Sequence, residues 1–341
     1  MSPDSKSGRV SRRKLVERAA VAASALPLMG SLLQAQAPAQ PPAGAPGAAG
    51  GPPGAGRGRG GGRGPGPGGT GPIRVLFISR FHPFNREPLF LTLDSFGKDI
   101  TWTHVEHPAA EVFFSPETSK NFDVFLLYDA FAGQERHQKP DGTFETVNTV
   151  PTPELQRNFK ALLQQGDKGF VFFHHALASW VHTWPEYVEV MGGAADWGTP
   201  LKNIRGKDYP ASGFKGKTPQ HITIVDKTHP IVEGLGDGFD IVDECYLCPM
   251  FEDSVHCLAR TDMKQVAENY RPAQAGHPPG SNMCVWVKAA ERTPVAYVQH
   301  GHDEEAWGNP AFKTLLLNSI KWAYSKDAKD WAHQHPAKIF A

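Results

Sequence analysis

Three short segments of this chain carry side chains able to move protons or to hold a metal ion: His174-His175, Asp243-Glu244 and His300-Gly301-His302-Asp303. Imidazole titrates near neutrality, so it can both take and give a proton. Carboxylates and imidazoles together suit general acid–base work, and they are also the ordinary ligands of zinc, manganese or iron. His174, His175, Glu244 and His302 are therefore the candidate catalytic residues. His175, Glu244 and His302 are the candidate ligands for one divalent metal. His82 and Asp129 end two other apolar runs, and Trp180, Trp184 and Trp307 offer aromatic faces nearby in sequence. With Asp303 they complete a candidate substrate-binding set. Each has a plainer alternative: a packed indole beneath a loop, a surface carboxylate pair at a strand end, or a turn before a helix.

These groups can meet only if the elements before them end at one edge. Ile73 to Ser79, Phe122 to Tyr128 and Gly169 to Phe173 are short apolar runs, the pattern of strands buried on both faces. His82, Asp129 and His174 follow their carboxyl ends. That is the edge at which open α/β sheets bind ligands. Helices are expected over Glu87 to Phe96 and from Thr152, where an N-cap Thr precedes Pro153 and Glu154. The first half thus reads as repeated β-α-β units of a parallel sheet. Asp129 to Thr152 is read as a long polar loop, and Ala194 to Pro219 as an irregular insertion. Further strands are expected at His221 to Val225, Asp240 to Tyr246, Val255 to Thr261, Met283 to Lys288 and Val295 to Gln299. An amphipathic helix closes the fold at Ala311 to Tyr324, and the tail from Ser325 carries little signal.

Residues 1–37 read as an export signal. Ser11-Arg12-Arg13-Lys14-Leu15 resembles a twin-arginine motif, the apolar stretch to Leu33 is too weak for a stable membrane span, and Ala35-Gln36-Ala37 suits cleavage. The expected location is periplasmic or extracytoplasmic. Residues 38–72 form a Pro/Gly/Ala linker with little to bury. About 270 residues follow, enough for one large α/β domain. Lys+Arg and Asp+Glu are equal at 35 each, so no basic field draws the chain to nucleic acid. Cys245, Cys248, Cys257 and Cys284 lack the second C-x-x-C of a zinc ribbon and are read as structural thiols or one disulfide.

Several strings, taken in order, resemble the ThuA-like (trehalose utilisation) family: IRVLFIS, FHHALASW with WPEY and GG, THPIVEGL, DECY, and PVAYVQHGHDEEAWGNPAF with its helix ending IKWAY. The likeness spans about Ile73 to Tyr324. It implies a doubly wound, mostly parallel, flavodoxin-like sheet similar to class I glutamine amidotransferases. It also implies a role in disaccharide or glucoside catabolism, alongside sugar dehydrogenases that make 3-keto sugars. The expected ligand is a small carbohydrate, with the tryptophans stacking on its apolar face. The expected chemistry is hydrolysis, elimination or isomerisation by a His/Glu site, with or without metal; a non-catalytic carbohydrate-binding or assembly module is the alternative. Where an amidotransferase turn would carry a nucleophilic Cys, this chain has His174-His175. Imidazole cannot form the thioester, so glutaminase activity is not expected.

Overall fold

The computed structural model describes residues 68–80, 82–271 and 276–340. The stretches read as an export signal and, up to residue 67, as a linker lie outside the described residues. Thirteen strands and six α-helices are described. A nine-stranded sheet holds most of the strands, in the order β10-β9-β11-β12-β13-β6-β3-β1-β2. Its parallel half consists of β2 (Ile100–Glu106), β1 (Ile73–Arg80), β3 (Val124–Asp129), β6 (Gly169–Phe173) and β13 (Thr293–Val298). In chain order those five strands stand 2-1-3-4-5, the flavodoxin-like arrangement.

The apolar runs owe their continuity to this layering. Every residue of β3 and β6 is buried. Alternate side chains serve two separate cores. Phe125, Leu127, Phe170 and Phe172 pack on one face with Leu155, Phe159 and Leu162 of α2 (Pro153–Gln165). Leu126, Tyr128, Val171 and Phe173 pack on the other with Leu89 and Leu93 of α1 (Arg86–Ser95) and Phe312, Leu315 and Ile320 of α5 (Pro310–Tyr324). The helix start read at Thr152 holds, since its hydroxyl accepts from Leu155 N at 3.1 Å and Pro153 is the first helical residue. α3 (Pro185–Met191) closes at Gly192, whose left-handed φ of 85° suits glycine.

Beyond β13 the sheet continues antiparallel through β12 (Met283–Ala290), β11 (His256–Thr261), β9 (Gly213–Ile224) and β10 (Gly238–Leu247). β9 pairs with β11 only through Ile222–Ile224. The rest of β9 runs with β10 as a two-stranded ribbon. This ribbon corrects the reading of Ala194 to Pro219 as irregular. That stretch also holds the small β7–β8 pair (Leu201–Ile204, Lys207–Tyr209). Gly, Lys and Pro hid the first half of β9, whose strand conformation comes from pairing with β10 rather than from its own propensity. The polar loop read at Asp129 to Thr152 is likewise a hairpin, β4 (Gln134–Gln138) with β5 (Phe144–Asn148). The tail is a helix too, α6 (Lys326–Gln334), capped by Ser325 and burying Ala328 and Ala332. The last linker residues dock on the sheet, with Thr70 N donating to Gly97 O and Gly71 N to Ile100 O.

Gly169 opens β6 directly beneath the last turn of α5; a Cβ there would lie 2.2 Å from Ala323 O. That neighbour is backbone and cannot rotate away. Gly169→Ala should destabilise the domain by about 1–3 kcal/mol. In urea unfolding the midpoint should fall with an unchanged slope; an unchanged midpoint would show that α5 shifts freely.

Candidate active site

The site is built at the carboxyl edge of the parallel half. β6 ends at Phe173, and His174 turns sharply with φ 54°. A left-handed backbone costs an L-residue roughly 1–2 kcal/mol. Tyr297 offsets part of that by donating its hydroxyl to His174 O at 2.7 Å. The buried ring is fixed as well. Its Nδ1 lies 3.0 Å from Gln299 O, and a carbonyl only accepts, so Nδ1 carries the proton and Nε2 presents its lone pair. Tyr246 Oη lies 2.7 Å from that Nε2.

The other two groups arrive from distant elements. If the sheet were flat, β10 would stand about 24 Å from β6, five strand spacings away. The ribbon curls instead, and a bulge between Asp243 and Cys245 re-aims Glu244 inward. Glu244 Oε2 lies 3.4 Å from His174 Nε2 and 3.3 Å from His302 Nδ1, and the two nitrogens are 3.0 Å apart. His302 is set by its backbone. The Asp243 carboxylate accepts from Gly301 N (2.6 Å), His302 N (3.2 Å) and Glu244 N (2.7 Å). Tyr128 Oη and Trp307 Nε1 both donate to Gly301 O, at 2.9 and 2.7 Å. Gly301 has φ 122°, and a Cβ there would meet Phe173 and Phe312 at 3.0–3.1 Å.

His174, Glu244 and His302 thus form a near-equilateral triangle of one-atom donors. Two ligands on one divalent ion at bond lengths of roughly 2.0–2.2 Å stand roughly 3.0–3.5 Å apart, so the three residues fit a metal. Two histidines and a carboxylate on one face also match a known donor set for iron and zinc. Burial works to raise the Glu244 carboxyl, but the two histidines outweigh it and hold it far below the usual carboxylate range. Burial pulls His302 down, and Glu244 outweighs that to raise it. His82 stands over the site, its ring 5.4 Å from His302 and 4.7 Å from His175. Burial, with His174 and His302 adding to it, lowers its pKa to about 4.

Several expected site residues stand elsewhere. His175 is not placed with the donor set. It is fully buried against Tyr128, 4.2 Å between ring centres, and neither nitrogen has a hydrogen-bond partner. His174 takes its place in the donor set, because the first imidazole meets Glu244 and Tyr246 of the ribbon, whereas the second packs beside it against Tyr128 and His82. Asp129 is fully buried and faces His107, 3.6 Å away, since adjacent residues of a strand leave opposite faces. Trp180, Trp184 and Trp307 are 5, 2 and 1 % exposed. Trp180 and Trp184 pack edge to face with each other, and Trp307 packs on Phe84. No sugar can stack on them. Asp303 caps α4 (Glu304–Gly308) and remains partly exposed beside His302. All four cysteines are free thiols. Tyr246 and Gln299 join the site without a sequence signal of their own: Tyr246 lies inside the DECY string, and Gln299 acts through its main-chain carbonyl, which no sequence marks.

Among the described residues, no helix is long and apolar enough to cross a membrane. No curated protein matches the chain in sequence. A ThuA-like protein of Parabacteroides merdae is 18 % identical, with a TM-score of 0.54 over 74 % of this chain and 90 % of that one. A ThuA-like protein of Bacteroides uniformis is 17 % identical, with a TM-score of 0.49 over 74 % and 92 %. At such identities the first likeness speaks for the fold. The family model for ThuA, trehalose utilisation, matches residues 94–323, the stretch that supplies His174, Glu244, His302 and the Asp243 clamp. The chain belongs to the ThuA, or trehalose utilisation, family.

Proposed function

We propose that this protein is a sugar-active enzyme whose His174, Glu244 and His302 hold one divalent metal. The observation that carries this reading is the triangle of donor atoms with edges of 3.0, 3.3 and 3.4 Å. Metal bound there would supply Lewis-acid polarisation of a sugar oxygen. The chain's own residues do the rest. Gln299 O keeps His174 in the tautomer that offers Nε2. Asp243 holds the His302 backbone in place. His82, neutral, stands beside His302 where a substrate proton could be taken up. Hydrolysis, elimination or isomerisation of an oxidised glycoside all fit this set. Elimination would use a base at the carbon beside a ketone, and hydrolysis an acid at the leaving oxygen. On this reading the twin-arginine motif sends the protein out of the cytoplasm, and a sugar dehydrogenase provides its substrate. The alternative of a non-catalytic binding module needs exposed tryptophans and separated histidines. The buried indoles and the converging imidazoles weigh against it.

Protein purified without chelator should carry one equivalent of zinc, manganese or iron by elemental mass spectrometry. His302→Ala should lose it, whereas His175→Ala, if folded by circular dichroism, should keep it. Metal retained by His302→Ala would overturn the assignment.

Asp243→Asn tests the support behind the ligands. The amide keeps the shape but sets an NH2 group among three N–H donors. Stability should fall by about 1–3 kcal/mol in urea unfolding. Metal affinity, read by chelator competition, should drop about 10–100-fold. Unaltered affinity would mean that His302 needs no such hold.

A further inference from the structure

Tyr246 follows the bulge residue Glu244 by two positions on β10, so both side chains leave the strand on the same side. The tyrosine is fully buried. Its ring lies 5.1 Å from that of His174 and 4.9 Å from that of Trp197, centre to centre. The Trp197 turn is itself anchored, since the neighbouring Asp196 carboxylate accepts from Gly198 N, Thr199 N, Gln134 Nε2 and the His182 ring. Tyr246 is therefore packed in place from two sides.

Its hydroxyl oxygen is 2.7 Å from His174 Nε2 and 3.1 Å from Nδ1. The ring carbon between the two nitrogens blocks an in-plane approach at such distances. The oxygen thus stands over the imidazole face, off the direction of the Nε2 lone pair, which stays free to meet a metal. Nδ1 is already committed to Gln299 O. A buried hydroxyl seldom goes without an acceptor. The Glu244 carboxylate supplies one: the Tyr246 hydroxyl hydrogen-bonds it, and Glu244 Oε2 is 3.4 Å from the same Nε2.

The two oxygens of Glu244 differ in their surroundings. Oε2 belongs to the donor triangle, whereas Oε1 looks toward Gly216, where a Cβ would lie 3.9 Å from it. A carboxylate can bind a metal through one oxygen or both, and what holds it decides which. Gln299 O sets the His174 ring, and Asp243 sets the His302 main chain. Tyr246 gives the third donor group the corresponding hold.

We propose that Tyr246 is the positioning residue for Glu244: its hydroxyl donates to the carboxylate and confines it to one-oxygen contact with the metal, leaving further coordination positions to substrate oxygens. This role presupposes the metal site proposed above and adds the hold on its third ligand.

Chelator competition and visible spectroscopy with cobalt(II) test it. Tyr246→Phe removes only the hydroxyl. Cobalt affinity should fall about 10–100-fold. The visible bands of the loaded variant should also weaken, because a second carboxylate oxygen raises the coordination number and six-coordinate cobalt(II) absorbs far less than four- or five-coordinate. Unchanged affinity overturns the role. So does lost affinity with the wild-type spectrum, which is what a packing defect alone would give. The infrared difference spectrum of the wild type on cobalt addition needs no variant to fold. A wide separation of the two carboxylate stretches is expected for one-oxygen contact; a narrow one overturns the proposal. Failure of the wild type to take up cobalt overturns the metal site itself.

Discussion

One buried carboxylate ties the parts of this protein together. Asp243 is 2 % exposed and accepts from three backbone amides, two of them on the loop after β13 and one its own neighbour's. A carboxylate out of water is costly unless such donors surround it. Burial raises its pKa, and those N–H groups counter that rise. The constraint works in both directions. β10 must lie where the loop after β13 can reach it, and that loop must take the conformation only Gly301 permits. Once both hold, Glu244 and His302 have little freedom left, and they converge on His174.

The parallel half was legible because its physics is local. Runs such as FDVFLLY and GFVFF are apolar throughout since both faces are covered, and Thr152-Pro153 announces a helix by its own side chain. The ribbon was not legible. The FKGKTPQ stretch of β9 holds strand conformation chiefly through β10, so nothing inside it signals a strand. The triad was half legible. Histidine and glutamate named themselves by type, but which of His174 and His175 turns toward Glu244 depends on the left-handed turn at His174. The tryptophans misled for a related reason. An indole suits a sugar-binding face and a core equally well, and only the tertiary fold decides between them.

Two departures from regular backbone each carry a donor atom themselves. His174 sits in a left-handed turn, and Glu244 at a bulge. A thiolate nucleophile in an amidotransferase-like turn would need the same exposure at a strand end; here that geometry presents an imidazole nitrogen. Strain at the strand end and the surplus residue in β10 are tolerated because large buried clusters on both faces of the sheet over-determine the backbone around them.

The curled ribbon also sets an order in time. On a ribosome the chain appears from its N-terminus. β1, β2, β3 and β6 can pair once residue 173 has emerged, with the first imidazole at their edge by residue 174. Glu244 comes 70 residues after His174, but its ribbon joins the sheet through β11, β12 and β13. The fifth parallel strand ends only at Val298, four residues before His302. No nascent fragment shorter than about nine-tenths of the chain can therefore assemble the three donors. The donor set is complete only when the sheet is.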